Sequence, residues 1–334
     1  MIEAEFRTPM ADSVNKFASS PACLRARRIN GKGDTVIQRE RRDFIRERIL
    51  ELTASSYPAR FRIMLEEGLL VVEDKVQQAD LCDVACIVSS AAWEGWLCKR
   101  GPEDNRQEHE WVVFANVMKI AQAENLPLSD KRIATAFSFL HDTCFLKRIM
   151  EEEIRKVERA GRLLEAEELK RKKKSTRFDH MVQGAKNAAT LLPTLYSGSS
   201  SALRTPLFTA EEIQRCVDII AVHDAWKVDP PEPPPTEDRL LLACVEADVL
   251  WPMHPIGVLA DLERANDLGE TQDFSDPAKW LDQIHQSNHT ILEFRRKWQG
   301  IPDDDFIDGE SIFRTREGAR LYHEWLCRWG LGKS

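Results

Sequence analysis

No histidine occurs before position 109, although the chain of 334 residues holds eight. Long apolar runs are missing too. A membrane helix needs about 18 to 20 apolar residues, and the best stretch, Val84 to Trp93 (VACIVSSAAW), is half that length and sits beside Asp80, Asp83 and Glu94. It reads as a buried helix, and no membrane partner is expected. The opening MIEAEFRTPMADSVNK lacks an apolar core behind a basic start, so no secretory leader is expected and a cytoplasmic location is the default. The eight cysteines form no CxxC pair, so they read as reduced, mostly buried thiols rather than a disulfide framework. Cys82 and Cys86, one helical turn apart, have the spacing of half a metal site, but no second pair completes it. GxSxG, GxxxxGK[ST] and GxGxxG are all absent, which removes the signatures of serine hydrolases, P-loop enzymes and dinucleotide-binding folds. His285 and His289 are four apart, but no Glu follows His285, so the HExxH zinc-protease motif is excluded and a surface role is favoured.

The rest of the composition is that of a globular chain: 43% hydrophobic, 31% charged, with 15 Gly and 16 Pro. Forty-seven basic against 55 acidic residues give a net charge of −8, which argues against general nucleic-acid binding. No segment alternates with period two for long, whereas helical spacing recurs, so an all-α fold with little or no sheet is expected. Residues 1–34 read as a flexible tail ending at Gly31-Lys32-Gly33-Asp34, and residues 35–104 as a helical N-terminal extension. Within it Ile37, Phe44, Ile45, Ile49 and Leu52 share a helix face, and helices suit 59–67 and 69–99. Beyond the Gly101-Pro102 loop, the stretch KRIATAFSFLH at 131–141 is nearly continuous in apolar residues and should be central to the core. Residues 147–174 read as one long charged helix ending in Arg171-Lys172-Lys173-Lys174, and Thr209 opens a capping box, TAEE. Residues 261–334 read as a helical C-terminal region packed on the core, with an amphipathic helix over 306–330 behind the acidic loop 303–305.

Against this apolar background some polar residues stand out. His141-Asp142 closes the apolar helix in FSFLHDTC, and a charged pair there costs desolvation energy unless a cation or other partner compensates. His109, His180 (FDHMVQGA), His223 (DIIAVHDAW) and Asp248 (ACVEADVLW) sit in comparable helical settings. Imidazole and carboxylate donors of this kind suit Fe, Mn, Ni, Co or Zn.

The order His109, His141-Asp142, His180, His223, Asp248 resembles that of the HD-domain superfamily of metal-dependent phosphohydrolases, over residues 105–260. The resemblance implies an HD-type helical bundle as catalytic core. It implies one ion held by His109, His141, Asp142 and Asp248, and a second reached through Asp142 and held by His180 and His223. The implied cofactor is a divalent transition metal, with two ions where all six ligands serve. The implied reaction is hydrolysis of a phosphoester by a metal-activated hydroxide, on a nucleotide or other small phosphorylated compound, with Asp142 the catalytic residue. The chain departs from family patterns in several places. Asp224 stands where bimetallic members often carry a second histidine, and is either an alternative ligand or a residue behind the ligands. The HDxGK and HDxxED strings are absent, since residues 143–147 read TCFLK, which weakens cyclic-dinucleotide and alarmone readings. Lys147, Lys174 and Arg177 are candidate substrate-binding residues. Each either meets a substrate phosphate or lies on a solvated face. His254, between two prolines, is placed at the pocket mouth, and Trp251 beside it packs on a substrate base or fills space. Two other readings fit the same ligand order. One is a mixed-valent di-iron oxygenase of the kind that oxidises myo-inositol, and the other is a non-catalytic helical signalling module that keeps the metal site.

Overall fold

The computed structural model describes residues 36–96, 107–144, 147–197, 205–228, 231–235, 237–267, 273–298, 306–308 and 311–331. The fold is all-α. Its helices are α1 (Val36–Ala54), α2 (Tyr57–Leu69), α3 (Lys75–Gly95), α4 (Glu108–Ala123), α5 (Leu128–Leu140) and α6 (Lys147–Arg159). They continue with α7 (Leu163–Leu191), α8 (Ala210–Val222), α9 (Arg239–Leu250), α10 (Pro255–Asp267), α11 (Pro277–Lys297) and α12 (Arg316–Arg328). Among the described residues the sheet is a two-residue antiparallel pair, β1 (Tyr196–Ser197) with β2 (Thr205–Pro206). No single described helix is long and apolar enough to cross a membrane.

Local chemistry sets several boundaries. The spacing that suits a helix over 69–99 is interrupted at 70–74, because the Asp74 side chain accepts hydrogen bonds from the Val76 and Gln77 amides, 2.8 and 3.2 Å away, and starts α3 there. The expected capping box at Thr209 is present and opens α8. The single charged helix expected over 147–174 is instead two helices. Gly161 takes φ +72°, a left-handed conformation that needs no Cβ accommodation, and the Arg162 amide returns to the Val157 carbonyl at 3.1 Å. The chain therefore turns back after α6, and the basic run 171–174 lies inside α7 rather than at a helix end. The C-terminal helix is shorter than expected, starting only at Arg316 behind its Thr315 cap; the loop 303–305 lies outside the described residues.

α5 is the hub. It packs against α4, α7, α8 and α9, the helices that carry or lead into the other site residues, and against α3 on another side. Every residue of α5 from Ile133 to Leu140 is buried, as the apolar run at 131–141 implies. α4 is almost as enclosed, between α2, α5, α9 and α10. A single apolar core runs from Ile45, Ile49 and Leu52 of α1 through α4, α5 and α9 to Tyr322 and Trp325 of α12. Burying a side chain such as Phe137 or Leu140 stabilises by about 1.5 to 3 kcal/mol, so α5 cannot shift without a large loss of core.

Candidate metal centre

His141 caps the C-terminal end of α5 and His223 that of α8, each followed by an aspartate in the turn. Asp248 lies in the last turn of α9, His109 in the first turn of α4, and His180 within α7. Three helix C-termini thus converge, and the negative ends of their dipoles favour cations in the region.

The sequence singles out six side chains as ligands, and the fold brings all of them together. His109, His141 and Asp248 form one cluster of donor atoms, and Asp142, His180 and His223 form another. In the first, His109 Nε2 lies 2.9 Å from His141 Nε2 and 3.4 Å from Asp248 Oδ1, which is 3.7 Å from His141 Nε2. In the second, His180 Nε2 lies 3.2 Å from His223 Nε2 and 3.3 Å from Asp142 Oδ1, with His223 Nε2 3.9 Å from the same oxygen. Asp142 joins the two sets: its other oxygen, Oδ2, is 3.4 Å from His109 Nε2. One carboxylate therefore turns one oxygen to each cluster.

The imidazoles are oriented from behind. His141 Nδ1 lies 3.1 Å from the Phe137 carbonyl, and His223 Nδ1 lies 2.8 Å from the Ile220 carbonyl. Only an N–H satisfies a carbonyl, so each ring carries its proton on Nδ1 and turns an unprotonated Nε2 to the cluster when neutral. Nitrogen lone pairs facing one another at such distances repel unless a proton or a cation lies among them. The charges make the same demand. With the imidazoles neutral, the carboxylates of Asp142, Asp224 and Asp248 outweigh the Lys227 ammonium beside them. Burial works against charge on His141, but Asp142 and Asp248 overcome it and raise that imidazole to about 9. Burial keeps His109 below its ordinary value and lowers His223 to about 4. Burial opposes charge on both carboxylates as well, yet His141 and its neighbouring histidines hold Asp142 well below the usual range, and Lys227 with His141 does the same for Asp248. A proton on His141 or a bound cation meets that demand, and each of the two groups could hold a metal ion.

Access is one-sided. His141, His180 and His223 are buried, whereas the side chains of His109 and Asp142 keep 13% and 15% of their surface. Trp251 stands edge-on to His109, ring centres 4.7 Å apart, so it shapes the wall at that histidine. The backbone carries Lys147 on α6 and Lys174 and Arg177 on α7 ahead of His180, but the side chains of all three lie outside the described residues. His254 is not at a pocket mouth. It is fully buried between Glu67 and Trp325, because α10 starts immediately after it and α12 covers it. His285 and His289 are exposed on α11, and Cys82 and Cys86 belong to neither donor cluster.

Sequence reasoning passed over Lys227, four residues after His223, whose Nζ reaches Asp224 and Asp248. The HDAWK string held a signal for it, since a lysine one turn beyond a dyad can fold back on it. It also passed over Asn187, which donates to Thr143 Oγ1 at 3.2 Å and ties α7 to the turn behind Asp142, and Asn116, which donates to the Ala247 carbonyl at 3.3 Å beside Asp248. Nothing local marks these two, because their partners are 44 and 131 residues away.

The chain matches no protein-family model, and no curated protein or solved structure is significantly similar to it.

Proposed function

We propose that the protein is an HD-type metal-dependent phosphohydrolase acting on a nucleotide or other small phosphorylated compound. His109, His141 and Asp248 would hold one divalent transition-metal ion, and His180 and His223 a second, with Asp142 shared between them. The observation that supports this reading is the Asp142 carboxylate, 3.4 Å from His109 Nε2 through one oxygen and 3.3 Å from His180 Nε2 through the other. Mixed imidazole and carboxylate donors favour Fe, Mn, Ni, Co or Zn. Bound there, such ions supply Lewis acidity towards a phosphoryl oxygen and lower the pKa of water.

The chain's own residues have separable tasks. The carbonyls of Phe137 and Ile220 hold the His141 and His223 rings in the orientation that keeps each Nε2 available. Asp142 and His109 keep some exposed surface, so a phosphate would approach the centre on their side. Lys147, Lys174 and Arg177 are the proposed phosphate contacts, from their places on α6 and α7.

Elemental analysis of freshly purified protein, paired with phosphoesterase assays under Mn, Co, Ni and Mg, tests the reading. His141→Ala and Asp142→Ala are expected to lose bound metal and phosphate release together. Even partners behind metal ligands cost about 10- to 100-fold in affinity when removed, so the loss for Asp142→Ala should exceed that range. Full metal content in either variant would overturn the assignment. Oxygen consumption by iron-loaded protein without phosphate release would favour the oxygenase reading, and intact metal without turnover the non-catalytic one.

A further inference from the structure

Lys227 ends the short 3-10 turn Ala225–Lys227 directly behind the His223-Asp224 dyad, and its amide donates to the Asp224 carbonyl at 2.9 Å. The turn brings its Nζ to 2.5 Å from Asp224 Oδ1 and 3.0 Å from Asp248 Oδ2. The ammonium also lies 4.9 Å from the ring centre of Trp226, a buried side chain packed against Phe294 and Trp298, so its stem has little freedom. Each aspartate is thereby divided. Asp248 turns Oδ1 to His109 and His141 while Lys227 engages Oδ2. Asp224 gives Oδ1 to Lys227, and its Oδ2 is 4.0 Å from His180 Nε2, farther than Asp142 Oδ1 at 3.3 Å.

We infer that Lys227 is a positioning residue of the metal centre: it ties down one carboxylate beside each donor set, leaving Asp248 a single oxygen for its cation and keeping Asp224 out of the second set. This rests on the metal-centre reading above. The physical reason is competition. An ammonium and a metal cation seek the same carboxylate oxygens, and a carboxylate shared with lysine offers less charge and fewer donor atoms to a metal. A lysine here would limit affinity while compensating the aspartates, and would keep Asp224 and the second oxygen of Asp248 from serving as further donors.

The sign of the effect separates this role from a merely structural one. A lysine that only braces the fold would, when removed, weaken metal binding. A lysine that withholds carboxylates would, when removed, strengthen it. The test is titration of the chelator-stripped full chain with Mn(II), following free Mn by its EPR signal. Lys227→Met is expected to bind Mn about tenfold or more tightly than wild type, since a half-buried cation beside the site has been removed and its carboxylates released. In Lys227→Met/Asp224→Asn most of that gain should disappear. Lys227→Arg, which keeps the charge and can still span two carboxylates, should bind within about threefold of wild type and protects the test if the Met variant folds poorly. Unchanged or weaker binding by Lys227→Met, a full gain retained in the double variant, or tightening in Lys227→Arg equal to that in Lys227→Met would each overturn the inference while leaving the metal centre standing. Failure of the wild-type protein to bind any metal would remove the centre itself, and the inference with it.

Discussion

Gly184 shows how little room the donor residues have. A Cβ at this position would meet the His141 carbonyl oxygen at 2.9 Å and Ile220 Cγ2 at 3.2 Å, so α7 sits directly against the helix end that presents the dyad. Gly184→Ala should push α7 outward, carrying His180 with it, at a cost of about 1 to 3 kcal/mol in stability. Metal affinity should fall although no donor is deleted, and a denaturant titration with a metal titration on the same sample checks both. A second residue-scale prediction concerns His254. The Ile256 amide donates to its Nδ1 at 3.2 Å, so its proton sits on Nε2, facing Glu67 Oε2 at 3.4 Å. Burial holds this imidazole below its ordinary value despite Glu67. A depressed histidine means that the unfolded chain takes up the proton first as pH falls, so stability drops below about pH 6.5. Burial opposes charge on Glu67 too, but Lys119 and His254 hold its carboxyl well below the usual range, so its own contribution persists until far more acidic pH. Between pH 7 and 5.5 the Tm of wild type should therefore fall more steeply than that of His254→Asn. Parallel curves would refute the buried-histidine account.

At the scale of elements, Arg60 fastens the start of α4. Its guanidinium donates to Glu108 at 3.2 Å, to both oxygens of Glu263 on α10 at 3.1 Å, and to the Leu52 carbonyl of α1 at 3.4 Å. Glu108 precedes His109, so this clamp also sets where the first histidine stands. Removing one member of a buried ion-pair network leaves the others uncompensated and costs about 3 to 5 kcal/mol. Arg60→Met should lower the unfolding free energy by that amount, read from a shift in denaturant midpoint. At the other end Glu246 of α9 accepts from the Arg314 amide at 2.5 Å, from the Thr315 amide at 3.1 Å and from the Thr315 hydroxyl. One buried carboxylate thus satisfies the chain leading into α12, and Gly318 follows because a Cβ there would run into it. The EAD string that drew attention for Asp248 carries, in its first residue, the anchor of the C-terminal helix.

For the whole molecule, the cluster concentrates unfavourable charge at the centre of the helices that hold the core together. A cation that binds the folded chain and not the unfolded one adds stability as the logarithm of its concentration over its Kd, about 2.7 kcal/mol at 100 times Kd. Chelator-treated protein should therefore melt at lower temperature than protein supplied with Mn or Co, and the difference should vanish in Asp142→Ala. An equal metal-dependent shift in that variant would place the stabilising ion elsewhere.

Much of this was legible in the chain alone. The all-α architecture follows from helical spacing without sustained alternation, and the Thr209 box and the buried 131–141 helix follow from short-range chemistry, which depends only on neighbours in sequence. The six residues of the two clusters stood out through their order, which resembles that of a metal-binding family, and His141-Asp142 also through the cost of a charged pair at the end of an apolar helix. Other features were not legible. The break at Gly161 hides in a run of charge that suits a helix on either side. Lys227, Asn187, Arg60 and the burial of His254 depend on partners brought near only by packing α5 against its neighbours. Sequence by itself determined the kind of fold and which side chains need compensation, because those rest on local periodicity and on the cost of burying polar groups. Only the tertiary structure decided which groups compensate one another, above all that Asp142 faces both donor sets and that Lys227 spans Asp224 and Asp248. Those pairings turn on distances of a few ångströms between helices far apart along the chain.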